Sequence, residues 1–177
     1  SVLAGTSPNG GLLLLRDGKV TASVALPVDS IFDVLEVSPT QVLVATGNPA
    51  RIYQITPATF AAAGISAVKV ADAKKLAEKG VTLFGEVRDR NVRRLTRLGD
   101  AVVAGSSPKG NIYRFPLPAG NAPQIVPVSP VILQENRDAE VTGLLAQLNG
   151  DLFATLVFTA SPSDARNLFA HCGRYQP

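Results

Sequence analysis

The chain has 177 residues, 46% of them hydrophobic and 18% charged, and a formal net charge of +3 at pH 7. That length suffices for a substantial core, and the charge is too small to argue for nucleic acid by itself. No apolar run reaches the roughly 18 residues of a membrane-spanning helix, and a single Cys excludes an intrachain disulfide framework.

The chain starts on strand-like SVLAGT, with neither a basic leader nor a cleavable apolar segment, as an excised piece would. Leu3 to Leu13 read LAGTSPNGGLL: an apolar strand, small polar residues, a turn containing Pro, and a second strand. A third strand, VTASVAL, spans Val20 to Leu26. IFDVLEV (Ile31 to Val37) then turns through SPTQ into VLVATG, and the opening hairpin returns as VATGNPARIY (Val44 to Tyr53). An Ala-rich interruption follows between Thr56 and Gly80. Within it, Ala71 to Lys79 before Gly80 predict a helix of about two turns, because Ala, Leu, Lys and Glu favour helix and Gly stops it. Lys74, Lys75 and Lys79 would form its solvated face. VTLFGEV (Val81 to Val87) resumes the strand pattern.

NVRRLTRL (Asn91 to Leu98) turns at Gly99-Asp100 into AVVAGS, and the hairpin recurs as VAGSSPKGNIY (Val103 to Tyr113). QIVPVSPVIL (Gln124 to Leu133) comes next, its prolines suited to an edge strand. VTGLLAQL (Val141 to Leu148) turns at Asn149-Gly150 into DLFATLVF, a strong hairpin signal. The first and third hairpins align without a gap 100 residues apart, and the middle one lies 41 residues after the first. Leu35, Leu95 and Leu145 are expected in one register, and Ala45, Ala104 and Ala154 in another.

The repeating unit is a four-stranded antiparallel meander, its strands designated a to d. Residues 1–29 supply strands b, c and d. Residues 30–88 form a full unit with a helical insertion at 57–80, residues 89–137 another, and residues 138–177 a partial one. This grammar, clearest in GNPARIYQI and SSPKGNIYRF, resembles the degenerate blades of bacterial β-propeller repeat proteins. These are WD40-like or YVTN-like blades without the Gly-His and Trp-Asp signatures. The resemblance implies an all-β fold of propeller blades, incomplete in this chain because propellers typically have at least four blades. A second chain, a missing continuation or self-association is then expected to complete the ring, since an open sheet edge invites association. The bacterial likeness leans the protein outside the cytoplasm, in the periplasm or secreted.

Catalytic constellations are sparse. The only His and the only Cys are adjacent, His171 and Cys172, and neighbours on an extended chain point to opposite sides. That pair reads as a tail or last-strand feature and cannot make an intrachain zinc site. Asp33, Asp89, Asn91, Asp138 and Glu140 stand near the openings of a-strands, where the propeller resemblance would place the metal site of a lactonase-like hydrolase. Their repeat positions are dissimilar, so solvated carboxylates are the competing reading. Quinone-dependent propellers use Trp docking residues, and Trp is absent here.

Arg88, Arg90, Arg93, Arg94 and Arg97 lie within ten residues, with Asp89 as counter-charge. They suit salt-bridged solubility or contact with an acidic protein surface or phosphate. Nucleic acid fits less well because no aromatic residues are interleaved with them. Tyr53 and Tyr113 read as packing residues whose phenols bond nearby backbone. No glycine precedes a helix, so no phosphate-cradling loop is present, and no cofactor is expected. The sequence thus points to a non-catalytic propeller segment that binds protein or scaffolds an assembly. The alternative is part of a metal-dependent hydrolase completed outside this chain.

Overall fold

A computed structural model describes residues 1–118 and 126–158, and the backbone of 170–175. The first meander is β1 (Val2–Gly5), β2 (Gly11–Arg16) and β3 (Lys19–Ala25). The second is β4 (Ser30–Ser38), β5 (Gln41–Gly47) and β6 (Arg51–Ile55). It then carries an insertion of α1 (Pro57–Ala62), β7 (Ile65–Lys69) and α2 (Ala73–Glu78) before closing with β8 (Val81–Glu86). The third is β9 (Asn91–Leu98), β10 (Ala101–Ser107), β11 (Ile112–Pro116) and β12 (Val131–Gln134). Then come β13 (Ala139–Ala146), β14 (Leu152–Phe158) and β15 (Ala170–Tyr175). Consecutive strands of each meander pair antiparallel. The second and third meanders are also joined through the pair Gly47 and Asn91, so they count as one eight-stranded sheet.

The core lies between consecutive meanders. Leu12, Val24 and Leu26 of the first meet Val44, Tyr53, Phe60 and Val81 of the second. Leu43, Ile52 and Phe84 of the second meet Val102, Ala104 and Phe115 of the third. Val103 and Ile112 of the third meet Val141, Leu152 and Leu156 of the last. Side chains alternate across a strand, so Val44 faces one neighbour while Leu43 faces the other. This explains why VLVAT and AVVAG are continuous apolar runs: both faces are buried, and every residue of β10 is.

Small residues let the meanders close up. A Cβ on Gly5 would lie 2.2 Å from Ile31 Cγ2, and one on Gly105 would lie 2.3 Å from Val141 Cγ1. Each of the three b–c turns contains a cis X–Pro bond, at Pro8, Pro49 and Pro108. A hydroxyl closes each turn. Thr6 Oγ1 accepts from Gly11 N–H at 2.9 Å, Thr46 Oγ1 from Arg51 N–H at 3.3 Å, and Ser106 Oγ from Asn111 N–H at 3.0 Å.

Three expectations need correction. The insertion 57–80 is not purely helical. Asp72 caps the short α2 through Lys75 N–H, but Ile65–Lys69 form a strand that pairs parallel with β3. Ile65, Val68 and Val70 are β-branched and favour strand, and the edge of β3 supplies the partner. The d-strand of the third meander is shorter than Gln124 to Leu133: it covers Val131–Gln134, and Val128 makes an isolated bridge to Gly85. Gln124 and Ile125 lie outside the described residues. Finally, Leu35, Leu95 and Leu145 do not share a register. Ala45, Ala104 and Ala154 stand opposite Asp33, Leu95 and Leu144. Counted from the single-residue bulges at Phe32, Arg93 and Thr142, Leu35 and Leu145 lie three residues on but Leu95 only two, and β4 carries a second irregularity at Val37.

Candidate functional site

The a-strands β4, β9 and β13 run beside one another, and their bulges form a seam. The bulged Arg93 lays its guanidinium over the ring of the bulged Phe32, 4.1 Å from the centroid. On its other side Arg93 Nε and Nη2 lie 3.0 and 2.8 Å from Glu140 Oε1. Arg94 Nε donates to the carbonyl of the bulged Thr142 at 2.8 Å. Arg97 Nη1 donates to Val37 O at 2.8 Å, back across the junction to β4. Asp33 answers in the opposite sense: its Oδ2 accepts from Leu95 N–H at 2.8 Å. The arginine run therefore ties three a-strands together, chiefly through side chain to backbone bonds that replace a missing ladder.

Three of the five arginines singled out in the sequence are held this way. Arg88 and Arg90 are exposed. The carboxylate candidates do not converge. Asp33 accepts from the backbone of Val34 and Leu95. Asp89 accepts from Arg90 N–H, Ser106 Oγ and Lys109 N–H. Asn91 donates to Ser107 Oγ, Glu140 pairs with Arg93, and Asp138 sits exposed at a positive φ of 52°. Among the described residues no three of His, Cys, Asp and Glu gather closely enough to hold a metal ion. His171 and Cys172 occupy consecutive positions on β15, opposite Leu156 and Thr155.

An open cleft of about 430 Å³ lies where the a-strands begin, lined by Asp29, Asn48, Arg90, Asn91, Ser107 and Glu140 among others. Asn48 Nδ2 donates to Asp29 Oδ2 between the first and second meanders, and Asn91 donates to Ser107 within the third. The cleft offers hydrogen bonds and one exposed cation but no nucleophile activated by a neighbouring base.

No protein-family model matches the chain, and no curated protein does.

Both tyrosines behave as packing residues, 3% exposed, with side-chain rather than backbone partners for their hydroxyls. Tyr113 accepts from Asn111 Nδ2 at 3.2 Å and Tyr53 from Arg51 Nη1 at 3.5 Å. The Tyr53 hydroxyl, with Glu86 beyond it, raises the Arg51 guanidinium pKa above its ordinary value, so that group stays cationic. Sequence reasoning missed Phe32 and the turn hydroxyls Thr6, Thr46 and Ser106. The hydroxyls were legible as a Ser or Thr five or six residues before each c-strand begins. Phe32 was not, because nothing local marks a bulge.

Replacing Arg93 with Ala removes both the ring contact and the partly exposed ion pair, an expected loss of about 1–2 kcal/mol. Urea unfolding of Arg93→Ala, Glu140→Gln and the double variant should show coupling of at least about 0.5 kcal/mol that shrinks in high salt. Additive effects would mean the pair is decorative.

Proposed function

We propose that this chain is a β-propeller segment acting as a non-catalytic protein-binding or assembly scaffold, whose ring a further chain or copy completes. The observation that carries the reading is the chemistry of the two outermost sheet faces. Inside the row, each sheet face is covered by the next sheet. At one end Val2 is 63% exposed and Val20 38%, beside half-buried Leu13 and Leu15. At the other end Leu145 is 60% exposed and Val157 42%, beside half-buried Phe153. Contiguous apolar surface of this kind marks a contact site.

The non-catalytic side of the reading is supported by two of the carboxylates: Asp33 Oδ2 and Glu140 Oε1 already serve bonds across the a-strand seam. Exposed Arg88 and Arg90 add a cationic element suited to an acidic protein surface.

Sedimentation equilibrium supplies the test. The chain should show a concentration-dependent mass above that of the monomer, and Leu145→Glu with Val157→Glu should return it to monomer without changing its β-sheet circular dichroism. A monomer at every concentration, unchanged by these substitutions, would sink self-assembly. Metal-dependent ester or lactone hydrolysis lost in Asp33→Asn would favour the hydrolase instead.

A further inference from the structure

The outer edges of two d-strands are already occupied, and in the same way. Along β3 the parallel strand β7 is seated: Ser23 N–H donates to Gly64 O at 3.0 Å, and Val70 N–H to Ala25 O at 2.9 Å. Ser23 Oγ adds a reciprocal pair with the backbone of Ser66, donating at 3.1 Å and accepting at 3.0 Å. Along β8, Val128 makes a parallel bridge to Gly85 and donates to Phe84 O at 2.7 Å. Gly85 permits this approach, because a Cβ there would stand 2.9 Å from Val128 O and 2.5 Å from the Phe115 ring. Both occupants come from the c–d connection of the following meander.

The third d-strand, β12, lacks that cover among the described residues: it pairs with β11 and with no second strand. Its side chains are correspondingly bare, with Val131 60%, Ile132 46% and Leu133 38% exposed. No charged residue occurs between Arg114 and Glu135. Charged side chains are a usual guard of an exposed edge, and here only Pro127 and Pro130 stand upstream. Among the described residues the edge of Val131–Gln134 is open and apolar.

We propose that the outer edge of β12 captures an extended, largely apolar, β-branched peptide strand from a partner protein, in parallel orientation. The occupants of β3 and β8 define that chemistry. Ile65–Lys69 and Val128 are extended and dominated by apolar side chains, and both run parallel to the d-strand they cover. Main-chain bonds would supply the attachment, and the bare Val131, Ile132 and Leu133 would flank the incoming strand. The inference rests on the scaffold reading only in treating sheet edges as contact surfaces.

The probe is a fluorescent peptide GISAVKV, the run from Gly64 to Val70 of this chain, titrated into the intact protein and followed by anisotropy. Saturable binding is expected, reduced at least tenfold by Ile132→Lys and by a probe with Pro in place of its Ser. Unchanged circular dichroism and thermal melting of Ile132→Lys would show that the protein remains folded. A photo-crosslinker at the peptide's N-terminal end should mark residues around Val131, and one at its C-terminal end residues around Gln134. No saturable binding, binding indifferent to Ile132→Lys, or a reversed crosslink pattern would overturn the proposal. So would a mass that falls in Ile132→Lys without peptide, since the edge would then serve self-pairing. Sedimentation of the Leu145 and Val157 variants reads a different surface, so the two ideas can fail separately.

Discussion

Gly105→Val should cost about 3 kcal/mol and lower the melting temperature by roughly 6–12 °C. The first atom of any side chain at this position would stand 2.3 Å from Val141 Cγ1 and 2.6 Å from Val141 Cβ, across the junction between β10 and β13. Neither side can yield easily. Val141 is fully buried among Leu152, Ala154 and Leu156, and every residue of β10 is buried too. Val141→Ala alone should cost less, through the lost methyl groups, and in combination with Gly105→Val should recover part of the deficit. Differential scanning calorimetry of the four proteins closes that cycle. If Gly105→Val melts within a degree of the parent, the close approach of the third and last meanders is wrong.

Phe115→Ala is expected to destabilise by about 3–5 kcal/mol. The ring is fully buried between the second and third meanders, 6.0 Å from the Phe84 ring and tilted 46° to it. It fills space that Gly85 leaves open, so truncation empties a site whose walls are backbone and cannot collapse. Fluorescence of tyrosine and far-ultraviolet circular dichroism should lose their signals together in urea, because one cluster joins the two meanders. Separate transitions would show that the meanders unfold independently.

These two expectations concern the same physical point. A meander with one wet face would stand alone, but β5 and β10 are apolar on both faces and need a neighbour on each side. That requirement propagates along the row until it reaches the outward faces bearing Val2 and Leu145, which have none among the described residues. The scaffold reading follows from that unmet requirement. The arginine run adds no catalytic chemistry to it. Arg93, Arg94 and Arg97 serve the seam, and only exposed Arg88 and Arg90 are left to face a partner.

Much of this was legible in the chain itself. The repeated hairpins placed b- and c-strands within a residue or two, since Pro and Gly in a turn between apolar runs leave little choice. The same grammar located β4, β8, β9, β13 and β14. It failed where pairing decides. β7 sits in an insertion read mainly for its helix, and its β-branched residues form a strand because Ser23 and the edge of β3 accept it. The bulges at Phe32, Arg93 and Thr142 carry no local signature, so nothing in the sequence marked the seam they form.

By itself the sequence determined the all-β class and the meander order, because apolar patterning and turn chemistry are local properties read within a few residues. Tertiary structure alone decided which arginines are spent, which d-strand edges are covered and which faces stay bare. Those outcomes depend on contacts between residues some 50 positions apart, and no short-range preference encodes them.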